Sequence, residues 1–539
     1  MRLGLIQLNA KLAAFRQNRL RIQSLAEEKE ADLYICPELS LSGYCNRDLF
    51  HNPDFLKSQN LELTELMKWS EKKNKSIIIG AVIDGYNAAV LISNGAQNHK
   101  YYKCKLPNQN IFEEKRHFSN GNDLGAIFSL GEESFNVEIC EDSWPSVQGF
   151  QIDQELEYLD KRSIKKEPLL INISASPFIR GKDKLRREML SSRAKKDNCF
   201  FVYTNFSGAQ DELVFDGQSS VYSPSGDIVL ECPRFEEGIF ICDTQKLDKA
   251  KKPISHSGND TVEAIKMFVR DYLLKTGHQK VVLGVSGGVD SALCAALCCQ
   301  AIGAENVLGI SLPSKWTSNQ TMDEIQKLQK NLGFELRTIN ISQIVEGIEN
   351  AIQQSSTPLA GIACENLQAR TRANVLMSVA NNESRLLVAT SNKSELAMGY
   401  STLYGDMAGA LLPIGDLYKT EVYEISHLLN SQEKKEVVPL STINRQPSAE
   451  LKENQKDTDS LPPYHVLDSF LYAYLEHHTY LDSQIESFEK LLAPYQISSL
   501  KRKVQINEFK RKQSGLICKV HHRSFGVHWQ MPISAEPLV

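Results

Sequence analysis

The sequence predicts an α/β protein of at least two domains, and three observations predict it. At 539 residues the chain is too long for one hydrophobic core. From residue 1 to about 245, short apolar runs alternate with charged segments of helical spacing, the pattern of layered sheets and helices. Further on, Val281-Val282-Leu283-Gly284-Val285 runs into Ser286-Gly287-Gly288-Val289-Asp290-Ser291 and then into the apolar stretch 292–299, which reads as strand, tight loop and helix. A glycine pair at such a junction lets the backbone take positive φ, and the unpaired N–H groups of the helix start point at a bound anion. Phosphate is the expected anion. The loop lacks the Gly-Lys-Ser/Thr of a Walker A motif and the third glycine of a dinucleotide fingerprint.

Composition narrows the function. The formal net charge is −5, so nothing in the overall balance favours nucleic acid or an acidic membrane surface, and small-molecule substrates are expected. The 12 cysteines are scattered, without paired Cys-x-x-Cys units, so neither structural zinc nor a disulfide framework is expected. The first residues are strand-like rather than a signal-peptide core, and no apolar run is long enough for a bilayer. A cytoplasmic protein with free thiols is the expectation.

In the N-terminal half, runs 3–8, 33–36, 77–82, 135–140, 169–173 and 200–204 are the expected core strands, with a hairpin around Asn94-Gly95. Residues capable of chemistry stand at or just after three apolar or hairpin segments. They are Glu38, Lys103 and Cys140. A thiolate nucleophile needs a nearby base and a cationic environment, so a carboxylate, an ammonium and a thiol make a workable amidase set. Glu38 would be the base, and Lys103 would stabilise the thiolate and the oxyanion.

The blocks Pro37-Glu38-Leu39-Ser40-Leu41-Ser42-Gly43-Tyr44, Lys103-Cys104-Lys105-Leu106-Pro107-Asn108 and Ile139-Cys140-Glu141-Asp142-Ser143-Trp144 resemble the nitrilase (carbon–nitrogen hydrolase) superfamily. That resemblance implies an αββα sandwich and puts the catalytic roles on Glu38, Lys103 and Cys140, with Lys103 preferred to Lys105 because it precedes the leucine by three. The segments 112–118, 172–182 and 210–217 are similar to the glutamine-hydrolysing branch fused to NAD synthetase, where Glu114, Ser176 and Lys182 match positions holding the amino-acid end of glutamine. One departure stands at Gln109, in Leu106-Pro107-Asn108-Gln109-Asn110 where relatives commonly have Leu-Pro-Asn-Tyr-Gly. The expectation there is altered glutamine affinity or altered coupling to the second site.

Residues 246–260 are polar and basic, with Pro253, Ser255, Ser257 and Gly258, and read as a linker between a domain at 1–245 and another at 261–539. A helix with apolar Val262, Ile265, Phe268, Val269 and Leu273 precedes the phosphate loop. After it come a strand at 307–312, a helix at 321–332 and a strand at 336–341, which predict a doubly wound parallel sheet. Ligands in such sheets bind at the carboxyl ends of the strands, where Leu312-Pro313-Ser314 would line an adenine site. A helix over 365–374 places Asn366 and Arg370 one turn apart, with Leu376 and Met377 available to the core. A strand at 386–389 ends in Thr390-Ser391-Asn392-Lys393-Ser394-Glu395, with Asp406, Asp416 and Lys419 further on. Such hydroxyls, lysines and carboxylates suit phosphates and Mg²⁺. Lys501-Arg502-Lys503 and Lys510-Arg511-Lys512 read as a solvated helix face rather than a nucleic-acid site.

The loop itself resembles the pyrophosphate loop of the N-type ATP pyrophosphatases, an adenine nucleotide alpha-hydrolase-like fold. With the 390–420, 446–451 and 460–464 blocks, the likeness extends to the synthetase domain of the glutamine-dependent NAD synthetases. It implies that Ser286, Gly287, Gly288, Val289, Asp290, Ser291, Thr390 and Lys419 bind ATP. It further implies that Asp290 and Glu395 engage Mg²⁺ or the acceptor, and that Asn366, Arg370, Glu395 and Lys510 contact deamido-NAD. A sparser acidic cluster than in relatives, at 455–460, weakly supports a loop role for Asp457. The resemblance implies amidation of deamido-NAD through an adenylate, with ammonia from glutamine led through an internal passage, in a large homo-oligomer. The alternatives are a form with impaired glutaminase using free ammonia, an amidotransferase with a different acceptor, and a regulatory protein with one dead site.

Overall fold

A computed structural model describes residues 1–108, 111–144, 167–246, 259–355, 357–448, 450–452, 455, 457, 461–476, 494–526 and 528–538. Gln109, most of the 246–260 segment and most of the 455–460 cluster therefore lie outside the described residues. The chain divides into two units, Met1–Asp260 and Thr261–Val539.

Two six-stranded sheets build the first unit. Across one, the order is Gly238–Asp243, Arg2–Gln7, Leu33–Ile35, Ile77–Ile83, Tyr86–Ser93 and Ala96–Tyr102. Across the other it is Ile228–Glu231, Ser220–Tyr222, Phe200–Thr204, Leu169–Ile173, Glu133–Ile139 and Ala126–Leu130. Strand alternation decides which face each side chain meets. Leu3, Leu5, Leu33 and Ile35 of the first sheet share a core with Val137, Ile139, Ile171 and Val202 of the second, so the sheets pack face to face. Ile6, Tyr34, Ile77 and Ile79 instead meet Ile22, Leu25, Leu63 and Leu66 of the helices Phe15–Glu28 and Pro53–Lys73. On the far face, Leu170, Phe201 and Tyr203 meet Leu190 and Ala194 of the helix Lys182–Asp197. The layers are helix, sheet, sheet, helix.

Local chemistry sets the helix ends. Asn52 caps Pro53–Lys73 by accepting from the Asp54 N–H at 2.9 Å, and proline opens the helix where no amide hydrogen is missed.

The second unit holds one all-parallel sheet in the order Glu335–Thr338, Val307–Ser311, Val281–Gly284, Leu386–Val388, Leu411–Leu412 and Leu516–Ile517. The chain order reverses between Val281–Gly284 and Leu386–Val388. A crevice opens at such a switch point, outside the carboxyl ends of the strands. The loop at 286–291 leaves the first of these strands and Thr390 follows the second.

The structure corrects several expectations. The strand expected to 140 ends at Ile139, because Cys140 turns to φ 46° and begins a 3₁₀ turn, Cys140–Ser143. The third strand of the second unit is Glu335–Thr338, and its following helix starts only at Ser342. The helix expected from 321 starts at Asn319, since the Ser318 hydroxyl accepts from the Thr321 N–H at 3.2 Å. Leu376 packs against the core, but Met377 is 47% exposed. Arg511 is no part of a solvated face: it is buried, donating to the Leu396 and Ala397 carbonyls. Lys393 is buried as well, paired with Asp416 at 2.9 Å and Glu476 at 2.6 Å, which removes it from phosphate binding.

Candidate active sites

The strand ends of the two packed sheets converge on a buried ionic centre. Glu38 follows the strand Leu33–Ile35, and its Oε1 accepts from Lys103 Nζ at 2.7 Å and from Asn87 Nδ2 at 2.7 Å. Its Oε2 accepts from the Ala175 N–H at 2.9 Å. Lys103, fully buried, donates also to Glu114 Oε1 at 2.8 Å, an oxygen that Tyr44 Oη reaches at 2.7 Å. One ammonium thus lies between two carboxylates. Burial pushes the Glu114 carboxyl up to about 7, against the pull of Lys103. Burial draws the Lys103 ammonium down, but Glu114 and Glu38 outweigh it and hold the ammonium well above its ordinary value.

Cys140 stands at the end of its strand with 9% exposure and left-handed φ, a conformation that non-glycine residues keep only where the surroundings impose it. Burial, then the Glu38 charge, raises its thiol far above the ordinary cysteine value, so the resting sulfur carries its proton. Asp142 ties the cysteine turn to the lysine segment. Its Oδ1 accepts from the Cys104 and Lys105 N–H groups at 3.1 and 2.7 Å, and its Oδ2 from Tyr101 Oη at 2.7 Å and the Ile139 N–H at 3.3 Å. Ser176 and Lys182 pair with each other at 2.9 Å, and Lys182 lies 5.7 Å from the Trp144 ring. Burial, then Arg186, lowers Lys182 to about 8. Lys105 is directed elsewhere, donating to the Trp144 carbonyl at 2.9 Å.

In the second unit a cavity of about 310 Å³ sits at the sheet's switch point. Ser286, Gly288, Asp290, Ser291, Leu312, Thr390, Glu395 and Lys419 line it. Gly287 has φ +79°, and a Cβ there would stand 3.0 Å from the Thr321 carbonyl oxygen, so both conformation and space call for glycine. Ser286 Oγ and Ser291 Oγ lie 3.0 Å apart, and Ser291 Oγ donates to the Gly288 carbonyl at 3.1 Å, closing the loop over the start of the helix Val289–Ile302. Asp290 accepts from Asn392 Nδ2 at 2.8 Å and pairs with Lys419. Glu395 lies 3.7 Å from Lys419. Burial, then the charge of Asp290, pushes the Glu395 carboxyl up to about 8. A divalent cation beside Asp290 and Glu395 would favour the ionised form of the Glu395 carboxyl, and the oxygens of these two side chains are of the kind Mg²⁺ prefers, so Mg²⁺ fits this donor set.

Comparison with known proteins matches this division. The carbon-nitrogen hydrolase family model matches residues 2–250, and the NAD synthase family model residues 261–514. The glutamine-dependent NAD(+) synthetase of Synechocystis sp. is 37% identical, over 99% of this chain and 98% of its own. The enzyme of that name from Thermotoga maritima is 34% identical over the full length of each chain. The chain belongs to the glutamine-dependent NAD(+) synthetase family. Among solved structures, the glutamine-dependent NAD+ synthetase of Acinetobacter baumannii, in complex with ADP, is 31% identical with a TM-score of 0.74, covering 99% of this chain and 98% of that one. The Cytophaga hutchinsonii synthetase shares the fold at a TM-score of 0.82 and 20% identity, over 99% of this chain and 98% of its own.

Within this NAD(+) synthetase family member, Glu38, Lys103, Cys140 and Glu114 form one neighbourhood, and the Ser176–Lys182 pair adjoins it, with Ala175 bonded to Glu38 and Lys182 within electrostatic reach of Cys140. Asn366, Arg370 and Lys510 converge on the segment 399–403: Asn366 Oδ1 accepts from Thr402 Oγ1 at 2.8 Å, Arg370 Nε donates to the Leu403 carbonyl at 3.0 Å, and Lys510 donates to the Gly399 and Ser401 carbonyls at 2.7 Å. Tyr400 and Thr402 of that segment line the cavity. Ser314 serves its own turn, accepting from the Trp316 N–H at 3.3 Å. Sequence reasoning missed two features. One is Asp142, quoted only as a motif letter. The other is a cluster in which Glu450 Oε1 accepts from Thr321 Oγ1 at 2.8 Å and from Arg445 at 2.5 Å, both Arg445 and Glu450 lining the cavity. Asp457, expected only weakly, also lines it and accepts from Tyr464 Oη at 2.9 Å.

Proposed function

We propose that this chain completes NAD biosynthesis by ATP-dependent amidation of deamido-NAD, with glutamine hydrolysis in the first unit and adenylylation in the second. In the first, Glu38 takes the Cys140 proton as Sγ attacks the side-chain carbonyl of glutamine. Lys103 balances the negative charge on the oxyanion. The proton passes from Glu38 to the departing nitrogen, ammonia leaves, and a glutamyl thioester remains. Glu38 then deprotonates a water that attacks the thioester, releasing glutamate and regenerating the thiol. Ser176 and Lys182 would hold the amino-acid end of the substrate.

In the second unit the nicotinate carboxylate attacks the α-phosphorus of ATP and diphosphate leaves. Ammonia attacks the carbonyl carbon of the adenylate, and AMP departs with the carboxylate oxygen. The helix start at 286–291, with Thr390 and Lys419, would hold the phosphates. Asn366, Arg370, Glu395 and Lys510 would bind or brace the deamido-NAD side. Asp290 and Glu395 would hold Mg²⁺, which supplies charge neutralisation for the diphosphate leaving group. Adenylylation turns a poor leaving oxygen into a good one, and ammonia made within the same protein escapes the protonation that bulk ammonia undergoes at neutral pH. The reading includes a cytoplasmic homo-oligomer. Among the described residues, no helix is long and apolar enough to cross a membrane.

One observation carries the reading: a single chain holds a buried Glu38–Lys103 ion pair beside Cys140 and a glycine-rich phosphate cradle paired with Asp290 and Lys419. NAD formation from deamido-NAD, ATP and Mg²⁺, with glutamine in one tube and ammonium in the other, tests it. Cys140→Ala should lose the glutamine-supported rate by at least about 10³-fold and keep the ammonium-supported rate. Product in neither tube with the unsubstituted protein overturns the reading, and loss of both rates in Cys140→Ala overturns the division of labour.

A further inference from the structure

Apart from the two sites, the first unit brings Asp48, His51 and His117 together. Asp48 and His51 belong to the 3₁₀ turn Arg47–His51, where residues three apart eclipse and project on the same side. His117 closes the short helix Glu114–His117. Ring packing holds the two elements against each other, with Phe50 at 5.3 Å from the His117 ring and 4.8 Å from Phe118.

His51 Nε2 and His117 Nδ1 lie 3.2 Å apart. Two imidazole nitrogens bound to one tetrahedral ion, each by a bond of about 2.0–2.1 Å, stand about 3.3 Å apart, so the observed spacing suits a shared ion with little movement. A carboxylate oxygen of Asp48 and one ring nitrogen from each histidine all lie within 4.8 Å of one another. The Asp48 side chain is 69% exposed and has room to rotate inward. Its present partner is Arg116 at 2.7 Å, an exposed pair of the kind that holds a side chain weakly. The two rings share this contact as a hydrogen bond, whose proton an incoming ion would displace.

We propose that Asp48, His51 and His117 form a binding site for one divalent transition-metal ion of the zinc class. Two imidazoles and a carboxylate favour zinc, cobalt or nickel over the all-oxygen coordination of magnesium and calcium. Three protein ligands on an exposed surface leave a fourth position to water. The ion would join two segments that meet at Glu114: the 3₁₀ turn follows closely on Tyr44, whose hydroxyl donates to Glu114, and His117 ends the helix that Glu114 begins. The site is a structural staple near the first centre and distinct from the Mg²⁺ ligands of the second unit.

Chelator-stripped, full-length protein titrated with Co²⁺ tests this through the visible d–d absorption of tetrahedral cobalt. The expected result is one Co²⁺ per chain, displaced by Zn²⁺, with the signal abolished in His51→Ala and in His117→Ala and retained in His427→Ala, an exposed histidine of the other unit. Asp48→Asn, an isosteric change at an exposed side chain, should fold normally and weaken Co²⁺ at least about tenfold. Zn²⁺ should raise Tm in the unsubstituted protein and leave the His51→Ala variant unmoved. Stoichiometric absorption that persists in all three site variants, a thiolate charge-transfer band in its place, or no binding near equimolar metal overturns the proposal.

Discussion

The two candidate sites solve opposite electrostatic problems. In the first unit, Glu38, Lys103 and Glu114 are 0–1% exposed and pair with one another before any substrate arrives. In the second, Asp290 and Glu395 keep 16% and 17% exposure on the wall of an open cavity, with Lys419 as their shared cation. A small neutral amide needs a preset field in a dry site, where each charge acts at low screening. A nucleotide arrives with its own negative charges and a cation, so its site must stay accessible and offer oxygens that the cation can take up. The difference teaches that burial here follows the charge of the substrate more than the type of chemistry.

After Cys140→Ala, the largest expected effect comes from breaking the second site alone. Lys419→Ala removes the cation facing Asp290 and Glu395, and NAD formation should fall by about 10²–10³-fold with glutamine and with ammonium alike. Glutamate release should continue. If glutamate release falls by the same factor, the two sites do not work as separate centres.

A smaller effect should come from loosening the first site without touching its reacting atoms. Asp142→Asn keeps the shape but weakens the hydrogen bonds that hold the Cys104 and Lys105 amides against the cysteine turn. Misplacing a catalytic group by about 1 Å costs on the order of 10²-fold. Glutamine-supported kcat should drop by about 10–100-fold, with KM for glutamine changed little and the ammonium-supported rate intact. An equal loss in the two rates would assign Asp142 to folding alone.

The smallest effect is a slope of stability with pH. Glu114 and Asp142 are both pushed up to about 7, chiefly by burial. A carboxyl whose folded value lies above its unfolded one binds more protons when folded, so its stabilising contribution is complete below about 4–4.5 and is lost as pH rises through about 7. Tm should therefore decline between about pH 5 and pH 8, and Glu114→Gln should flatten that decline. A decline of unchanged steepness in Glu114→Gln would show that Glu114 carries no such proton.

Much of the architecture was legible from local pattern. The loop at 286–291 depends on glycine conformations and a helix start, both set by adjacent residues, and its strand–loop–helix reading matches Val281–Gly284 and Val289–Ile302. Six of the first unit's strands were likewise visible as buried apolar runs, whereas Ala96–Tyr102 and Ile228–Glu231, mostly not buried, were not among those runs. Element ends were less so: Ser318 moved a helix start by its side-chain cap, and Cys140 left its strand one residue early.

The sequence by itself determined the two-part α/β order and the strand–loop–helix at 281–302, and through family motifs it singled out Glu38, Lys103 and Cys140 as candidates. Tertiary structure alone decided which charges are buried against which partners. Asp142 reaches the Cys104 amide across 38 residues, Glu450 reaches Thr321 across 129, and Lys393 and Arg511 turn inward although their neighbours in sequence are polar. Such pairings follow from sheet register and packing between distant segments. They leave no periodic mark along the chain, because a charged residue looks the same in sequence whether water or a buried carboxylate receives it.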